Sequence, residues 1–220
     1  MYDVILNIMA ELDKLFDSIV AGKLEPAIEI TEQAIRENLE PQMIINNYMI
    51  KAMEEIGDRF QNNKAYVPEL LMAARAMKGA LELLKPHLKG DRSSTIGKII
   101  IGTVYGDLHD IGKNLVASMF EGCGFEVVNL GVNISADKFI EVIKKENPDI
   151  LCLSALLTTT MGYMKIVIDT LEKEGLRSKV KVMVGGAPVN QIFADQIGAD
   201  GYTDNANAAV IKAKELIAMR

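Results

Sequence analysis

Asp107, His109 and Asp110 lie within the stretch Gly106-Asp107-Leu108-His109-Asp110-Ile111-Gly112, and His109 is one of only two histidines in a chain of 220 residues. A single histidine in a loop is by default a surface or hydrogen-bonding residue. A carboxylate two residues away changes that expectation. It accepts from one ring nitrogen, fixes the tautomer and raises the basicity of the other nitrogen as a ligand. A serine, Ser154, is expected across from this pair as a further partner of the carboxylate, giving a Ser–Asp–His chain with one ring nitrogen free. Hydrolysis fits poorly, because a Ser–His–Asp site needs the serine next to the histidine and a nucleophile elbow. A zinc site fits poorly too, since it needs three or four protein ligands and one good imidazole is offered. One imidazole suffices when the metal arrives already held by a macrocycle with an axial position open. Haem and corrins both meet that condition.

The elements around the stretch say where it sits. It follows an apolar run, Lys98-Ile99-Ile100-Ile101-Gly102-Thr103-Val104, that reads as a buried strand, and it precedes Lys113–Phe120, which reads as a helix. Loops from strand to helix are where open α/β sheets bind ligands. Beyond it the pattern alternates. Strands are expected at Lys98–Thr103, Phe125–Asn129, Ile150–Ser154, Val180–Val184 and near Gly201–Thr203. Helices are expected at Ile111–Gly122, Ala136–Asn147, Gly162–Glu174, Val189–Ile197 and Asn205–Met219. Five such units predict a flavodoxin-like (Rossmann-type) α/β domain over 96–220, with a five-stranded parallel sheet in the order 2-1-3-4-5. That order sets the loop after the first strand beside Ser154 at the end of the third and Gly185-Gly186 at the end of the fourth. Glycines there, and Gly112 at the helix start, remove side chains where a bulky ligand approaches backbone. They favour a corrin with a long nucleotide tail.

The first 88 residues read as helices throughout. Val4, Ile5, Ile8, Leu12, Leu15, Phe16 and Ile19 recur at three- and four-residue steps, and Gly22 breaks the pattern. Pro26 is read as opening a second helix, with Ile28, Ile30, Ala34 and Ile35 as core candidates, closed by Asn38. Pro41 opens a third, running through Met43, Ile44, Tyr48, Met53 and Ile56 to Phe60. Val67-Pro68-Glu69 opens a fourth. Together they predict an all-α four-helix bundle over 1–88, joined to the α/β domain by a polar linker at 89–95.

Composition bounds the partners. The formal net charge of −6 argues against a nucleic-acid partner. No apolar run approaches the ~20 residues a membrane helix needs, and the N-terminal residues do not read as a signal peptide. Cys123 and Cys152 have no metal-ligand spacing and read as reduced core residues, which suits a cytoplasmic protein.

The residues also carry a resemblance. Asp107-Leu108-His109-Asp110-Ile111-Gly112, Ser154-Ala155-Leu156 and Gly185-Gly186 look like the cobalamin-binding signature DxHxxG…SxL…GG, with gaps of matching length. In the helical half, Gly57-Asp58-Arg59-Phe60, Tyr66-Val67-Pro68-Glu69 and Ala74-Arg75-Ala76-Met77 resemble the cap module of cobalamin-dependent methionine synthase. In length and layout the chain is most similar to the corrinoid proteins of methanol-, methylamine- and betaine-type methyltransferase systems. The resemblance implies a methyl carrier, not a complete enzyme. Cobalamin would be bound with its own base off cobalt and its tail buried, and His109 would be the axial cobalt ligand. Asp107 and Ser154 would tune that ligand as the cofactor passes between methylcobalamin and cob(I)alamin. Gly106, Asp107, Leu108, His109, Asp110 and Gly112 would meet the corrin. Ser154, Leu156, Thr158, Gly185, Gly186 and Ala206 would meet the tail, and Tyr66, Leu70 and Ala74 would cap the upper face. Implied partners are a substrate-specific methyltransferase, a second methyltransferase that passes the methyl group to tetrahydrofolate or coenzyme M, and a reductive activase.

Three other readings share parts of this pattern. A cobalamin-dependent regulator would need an output module, which the acidic bundle does not resemble. An adenosylcobalamin mutase small subunit normally lacks a helical cap. A receiver domain would end its third strand in an aspartate, where this chain has Ser154.

Overall fold

The computed structural model describes residues 2–87 and 95–219, with side chains from residue 11 onward. The core positions expected at Val4, Ile5 and Ile8, the boundary at Leu88 and the linker at 89–95, Thr95 excepted, lie outside the described residues. The chain divides into two compact units, residues up to 95 together with 121–124, and 96–120 together with 125–220.

The first unit is helical. Its elements are α1 (Tyr2–Val20), α2 (Leu24–Arg36), α3 (Pro41–Ile44), a π-helical turn (Ile45–Met49), α4 (Ile50–Gln61) and α5 (Val67–Leu84). α1 packs on α2, α4 and α5, and α2 packs on α5. Leu12, Leu15 and Ile19 of α1 are buried as the spacing requires. On α2 Ala34 is buried as expected, but its companions in the seam are Ala27 and Thr31, and the isoleucines are only half-buried. Ala73, Ala76 and Ala80 of α5 are fully buried as well. Small residues let two helices approach closely, and the Thr31 hydroxyl donates to the Ala27 carbonyl 2.7 Å away, so the close contact strands no polar group. Pro26 is the third residue of α2, not its first. It still lies in the opening turn, where its missing N–H has no intrahelical acceptor. The third expected helix is α3 and α4 joined by the π turn.

The second unit alternates β1 (Lys98–Thr103), α6 (Ile111–Gly122), β2 (Glu126–Asn129), α7 (Ala136–Glu146), β3 (Ile150–Ser154), α8 (Thr158–Met161), α9 (Tyr163–Lys173), β4 (Lys181–Gly185), α10 (Gln191–Ile197), β5 (Gly201–Tyr202) and α11 (Ala206–Ala218). The sheet is parallel in the order β2-β1-β3-β4-β5, as the alternation predicts. Side chains alternate across it with period two. Ile100, Leu151, Leu153, Val182 and Val184 join a core with residues of α7, α9 and α10. Ile101, Cys152 and Met183 face the other way, toward α6 and α11. No described helix is long and apolar enough to cross a membrane.

Candidate functional site

Three strand ends lie abreast: Thr103 of β1 pairs with Ser154 of β3, and Ser154 pairs with Gly185 of β4. The loops that follow them open on one edge of the sheet. The deepest group there is Asp107, whose side chain is fully buried. Its Oδ1 accepts from the His109 backbone N–H at 3.0 Å and lies 2.8 Å from His109 Nδ1. Its Oδ2 accepts from the N–H of Leu156 at 2.8 Å, the N–H of Leu157 at 3.3 Å and the Thr160 hydroxyl at 2.7 Å.

Burial alone would push this carboxyl up. The Thr160 hydroxyl, the N–H groups of His109 and Leu156 and the His109 ring outweigh it, and hold the group well below the usual carboxylate range. Asp107 is therefore an anion that only accepts. Nδ1 of His109 must carry the proton, and Nε2 is the nitrogen left for a ligand. The His109 side chain is 50% exposed, and its carbonyl accepts from the hydroxyl of Thr103, a fully buried residue, at 2.9 Å.

The expected Ser–Asp–His chain is corrected in one member. Ser154 is not among the partners of Asp107; Thr160 takes that place. β3 ends at Ser154, and the carboxylate sits farther on, over the start of α8. The sequence shows no helix there because Thr158-Thr159-Thr160 is a β-branched run of poor helix propensity. A row of hydroxyls just after a strand end is the available signal.

Asp107→Asn tests the electrostatics without the cofactor. A depressed folded-state pKa means that the ionised form stabilises the fold fully above about pH 4, the ordinary carboxylate value, and that this contribution fades as pH falls through the folded value. The variant is expected to lose about 2 kcal/mol near neutral pH, the scale of a hydrogen bond to a charged group. The gap from the unmodified protein should close in acid. Denaturant melts across the acid range check this; a gap that stays constant with pH would contradict it.

Beside His109 lies a cavity of about 750 Å³, within the ~300–1,000 Å³ usual for ligand sites. Its walls are mostly apolar, with Ile101, Cys152 and Met183 from the sheet and Leu115, Val116 and Phe120 from α6. Both cysteines are buried, and burial pushes the Cys152 thiol up. The glycines differ in duty. Gly186 has φ +128°, and a Cβ there would collide with the Ala155 carbonyl oxygen. A methyl group placed on Gly112 would meet nothing within 4 Å, and one on Gly185 would meet only the Thr203 oxygen at 3.7 Å. The first glycine is required by the fold; the other two leave open space.

Leu108, His109, Asp110, Gly112, Ser154, Leu156, Gly185, Gly186 and Ala206 all line this cavity. Asp107 lies behind His109, and Gly106 and Thr158 are not among the lining residues. Tyr66, Leu70 and Ala74 belong to the helical unit, where Tyr66 is exposed and the other two are buried. Lys113, which no motif in the sequence singles out, also lines the cavity and is itself buried. Its ammonium donates to Asn114 Oδ1 at 2.6 Å and Asn129 Oδ1 at 2.7 Å. Among the described residues no three metal-ligating side chains cluster. The imidazole therefore suits a metal whose other positions come with it, and the apolar cavity suits a bulky organic appendage of the same molecule.

Comparison with known proteins agrees with this geometry. Family models described as B12 binding domains match residues 97–211 and 11–85. The chain is 46% identical to a dimethylamine corrinoid protein of Methanosarcina barkeri, over 94% of this chain and 97% of that one. It is 38% identical to a corrinoid protein of Desulfitobacterium hafniense, over 96% and 99%. Among solved structures, a cobalamin-binding protein of Desulfitobacterium hafniense superposes with a TM-score of 0.80 at 31% identity, covering 93% of this chain and 98% of that one. The methanol:cobalamin methyltransferase complex MtaBC of Methanosarcina barkeri superposes with a TM-score of 0.83 at 30% identity, covering 96% and 81%.

Proposed function

This chain belongs to the B12-binding family of corrinoid proteins, and from that premise we propose that it carries a methyl group on cobalamin between two methyltransferases, the first of which demethylates a methylated amine. The observation that carries the reading is the His109 imidazole, with Nδ1 tied to a buried anionic Asp107 and Nε2 free beside a cavity large enough for a nucleotide tail. The amine is proposed from the 46% identical dimethylamine corrinoid protein. The acceptor would be tetrahydrofolate or coenzyme M, a reductive activase would restore the cofactor after oxidation, and the work would be done in the cytoplasm.

The cofactor, when bound, supplies a cobalt centre that takes up and releases methyl groups. The chain's residues do the rest. His109 would ligate through Nε2 in place of the cofactor's own base. The proton on its Nδ1 stays on the Asp107 side, so the donor strength of the ring rises as that hydrogen bond tightens. Thr160 and the N–H groups of Leu156 and Leu157 keep Asp107 anionic. Leu108, Asp110 and Gly112 would touch the macrocycle. Leu156, Gly185, Gly186 and Ala206 would border the tail, whose burial excludes water from the cavity.

Equilibrium dialysis against hydroxocobalamin is the direct test. The protein is expected to retain the corrinoid stoichiometrically, with an absorption spectrum of imidazole in place of dimethylbenzimidazole. Added dimethylamine:corrinoid methyltransferase and dimethylamine should then methylate the reduced form. Retention without methylation by any amine-specific partner would leave the carrier reading and remove the amine.

A further inference from the structure

We propose that Asn133, in the loop between β2 and α7, is the positioning residue that holds the His109 loop in its ligand-ready form. The loop after β1 has bonds of its own, Asp107 N–H to the Val104 carbonyl at 3.2 Å and the Thr103 hydroxyl to the His109 carbonyl at 2.9 Å, and it is braced further from a neighbouring loop. Segment 131–134 runs alongside it and bonds to it repeatedly. Thr103 N–H donates to the Gly131 carbonyl at 3.0 Å, and Ile134 N–H donates to the Thr103 carbonyl at 3.0 Å. These continue the sheet pairing past the end of β1, with a bridge between Val104 and Ile134.

Asn133 then spans the turn itself. Its side-chain Oδ1 accepts from the Gly106 N–H at 2.8 Å, and its own N–H donates to the Asp107 carbonyl at 3.0 Å. The two bonds grip the loop on either side of the Gly106–Asp107 peptide. With both flanking peptides held, the backbone from which the Asp107 side chain departs is fixed where its carboxylate meets Leu156, Thr160 and the His109 ring.

The conformation is specific to the residue type. Asn133 has φ +57° and Gly106 has φ +81°. Asparagine is among the few non-glycine residues that adopt the left-handed region readily, and it alone of the common choices adds a neutral carbonyl acceptor there. Asn133 is also exposed, so replacing it opens no cavity. A change in His109 on substitution would therefore come through the loop.

Two substitutions separate the backbone from the acceptor. Asn133→Gly keeps the left-handed conformation and removes Oδ1. Asn133→Asp tolerates the conformation and keeps an acceptor for the Gly106 N–H. The primary reading is taken on cofactor-free protein labelled with 15N at histidine, above neutral pH. The chain has two imidazoles, His87 and His109, and a His109→Ala sample assigns their signals. The ring 15N shifts report which nitrogen holds the proton. The unmodified protein and Asn133→Asp should show His109 protonated at Nδ1. In Asn133→Gly the ratio of the two tautomers should move about fivefold toward Nε2, the change expected from the loss of one ordinary hydrogen bond. An unchanged ratio in Asn133→Gly would overturn the proposal, as would an equal shift in Asn133→Asp.

A second reading rests on His109 as the axial ligand. With hydroxocobalamin, Asn133→Gly should bind ~10-fold more weakly, as supporting residues of metal ligands do, and show a smaller imidazole-ligated fraction. If the unmodified protein retained no corrinoid, the axial reading would fall and the tautomer ratio would still decide the role of Asn133.

Discussion

His109→Ala protein should emerge from dialysis against hydroxocobalamin with corrinoid still bound and with no trace of imidazole ligation in its spectrum. Two contributions separate here. The cavity of about 750 Å³ would bury the aromatic base of the nucleotide tail whether or not cobalt is ligated. The His109 imidazole would add a bond to the metal. Removing the ligand itself should weaken retention at least as much as the ~10–100-fold typical of losing a supporting residue. The fold should not suffer, because the side chain is 50% exposed and Asp107 keeps the N–H groups of His109, Leu156 and Leu157 and the Thr160 hydroxyl. The measurements are the dialysis isotherm and the visible spectrum on one sample. A variant with the spectrum of the unmodified protein would show that cobalt is ligated by something else.

The glycines give the second large effect, with opposite outcomes at two positions. At Gly186 a Cβ would collide with the Ala155 carbonyl oxygen, on a backbone with φ +128°. Neither neighbour can yield easily. Ala155 N–H donates to the Gly185 carbonyl at 3.2 Å, and the Gly186 carbonyl accepts from Val189 N–H at 3.0 Å. Gly186→Ala should cost about 3 kcal/mol or more, read as a collapse of the melting temperature of cofactor-free protein. At Gly112 a Cβ meets nothing within 4 Å. Gly112 is the second residue of α6, so Gly112→Ala should stabilise the cofactor-free protein by at most about 0.5 kcal/mol, less than in mid-helix. It should nonetheless bind corrinoid poorly, because the open space lies where the ring is proposed to rest. Normal binding by Gly112→Ala would move the ring away from the start of α6. An unchanged melting temperature in Gly186→Ala would contradict the close approach to Ala155.

The features legible in the sequence are those that repeat along it. The alternation of apolar runs with helical periods gives the order of the sheet, and the placing of Asp107, His109, Ser154 and Gly185-Gly186 at strand ends gives the edge where they meet. Features set by contacts between distant residues are not legible. Thr160 reaches Asp107 only because the short α8 turn folds over the end of β3, and a run of three threonines does not announce a helix. Asn133 looks like an ordinary loop residue until its two bonds to the β1 loop are seen. The buried seam of α2 joins Ala27 and Thr31 to the expected Ala34 because close helix approach selects small side chains, whereas a hydropathy pattern also points to the larger Ile28, Ile30 and Ile35. Ser154 stands in the expected register without the expected bond, since a strand order fixes where a residue stands but not which neighbour its hydroxyl meets.

The abreast pairing of Thr103, Ser154 and Gly185 has a consequence for the order of assembly. Parallel neighbours can pair only after the helix between them has closed the loop, so these contacts form late and slowly. The cavity wall takes Ile101 from β1, Cys152, Leu153 and Ser154 from β3, Met183, Val184 and Gly185 from β4, and Tyr202 and Ala206 from farther along the chain. A chain still emerging from the ribosome lacks part of this wall until β4, β5 and α11 have docked. Full cofactor capture is then expected to follow folding of the whole sheet. The cofactor acts afterwards by mass action on the finished sheet, worth about 2.7 kcal/mol at a hundred times its dissociation constant. A cell starved of cobalamin would hold this chain correctly folded but short of that increment, and would turn it over faster.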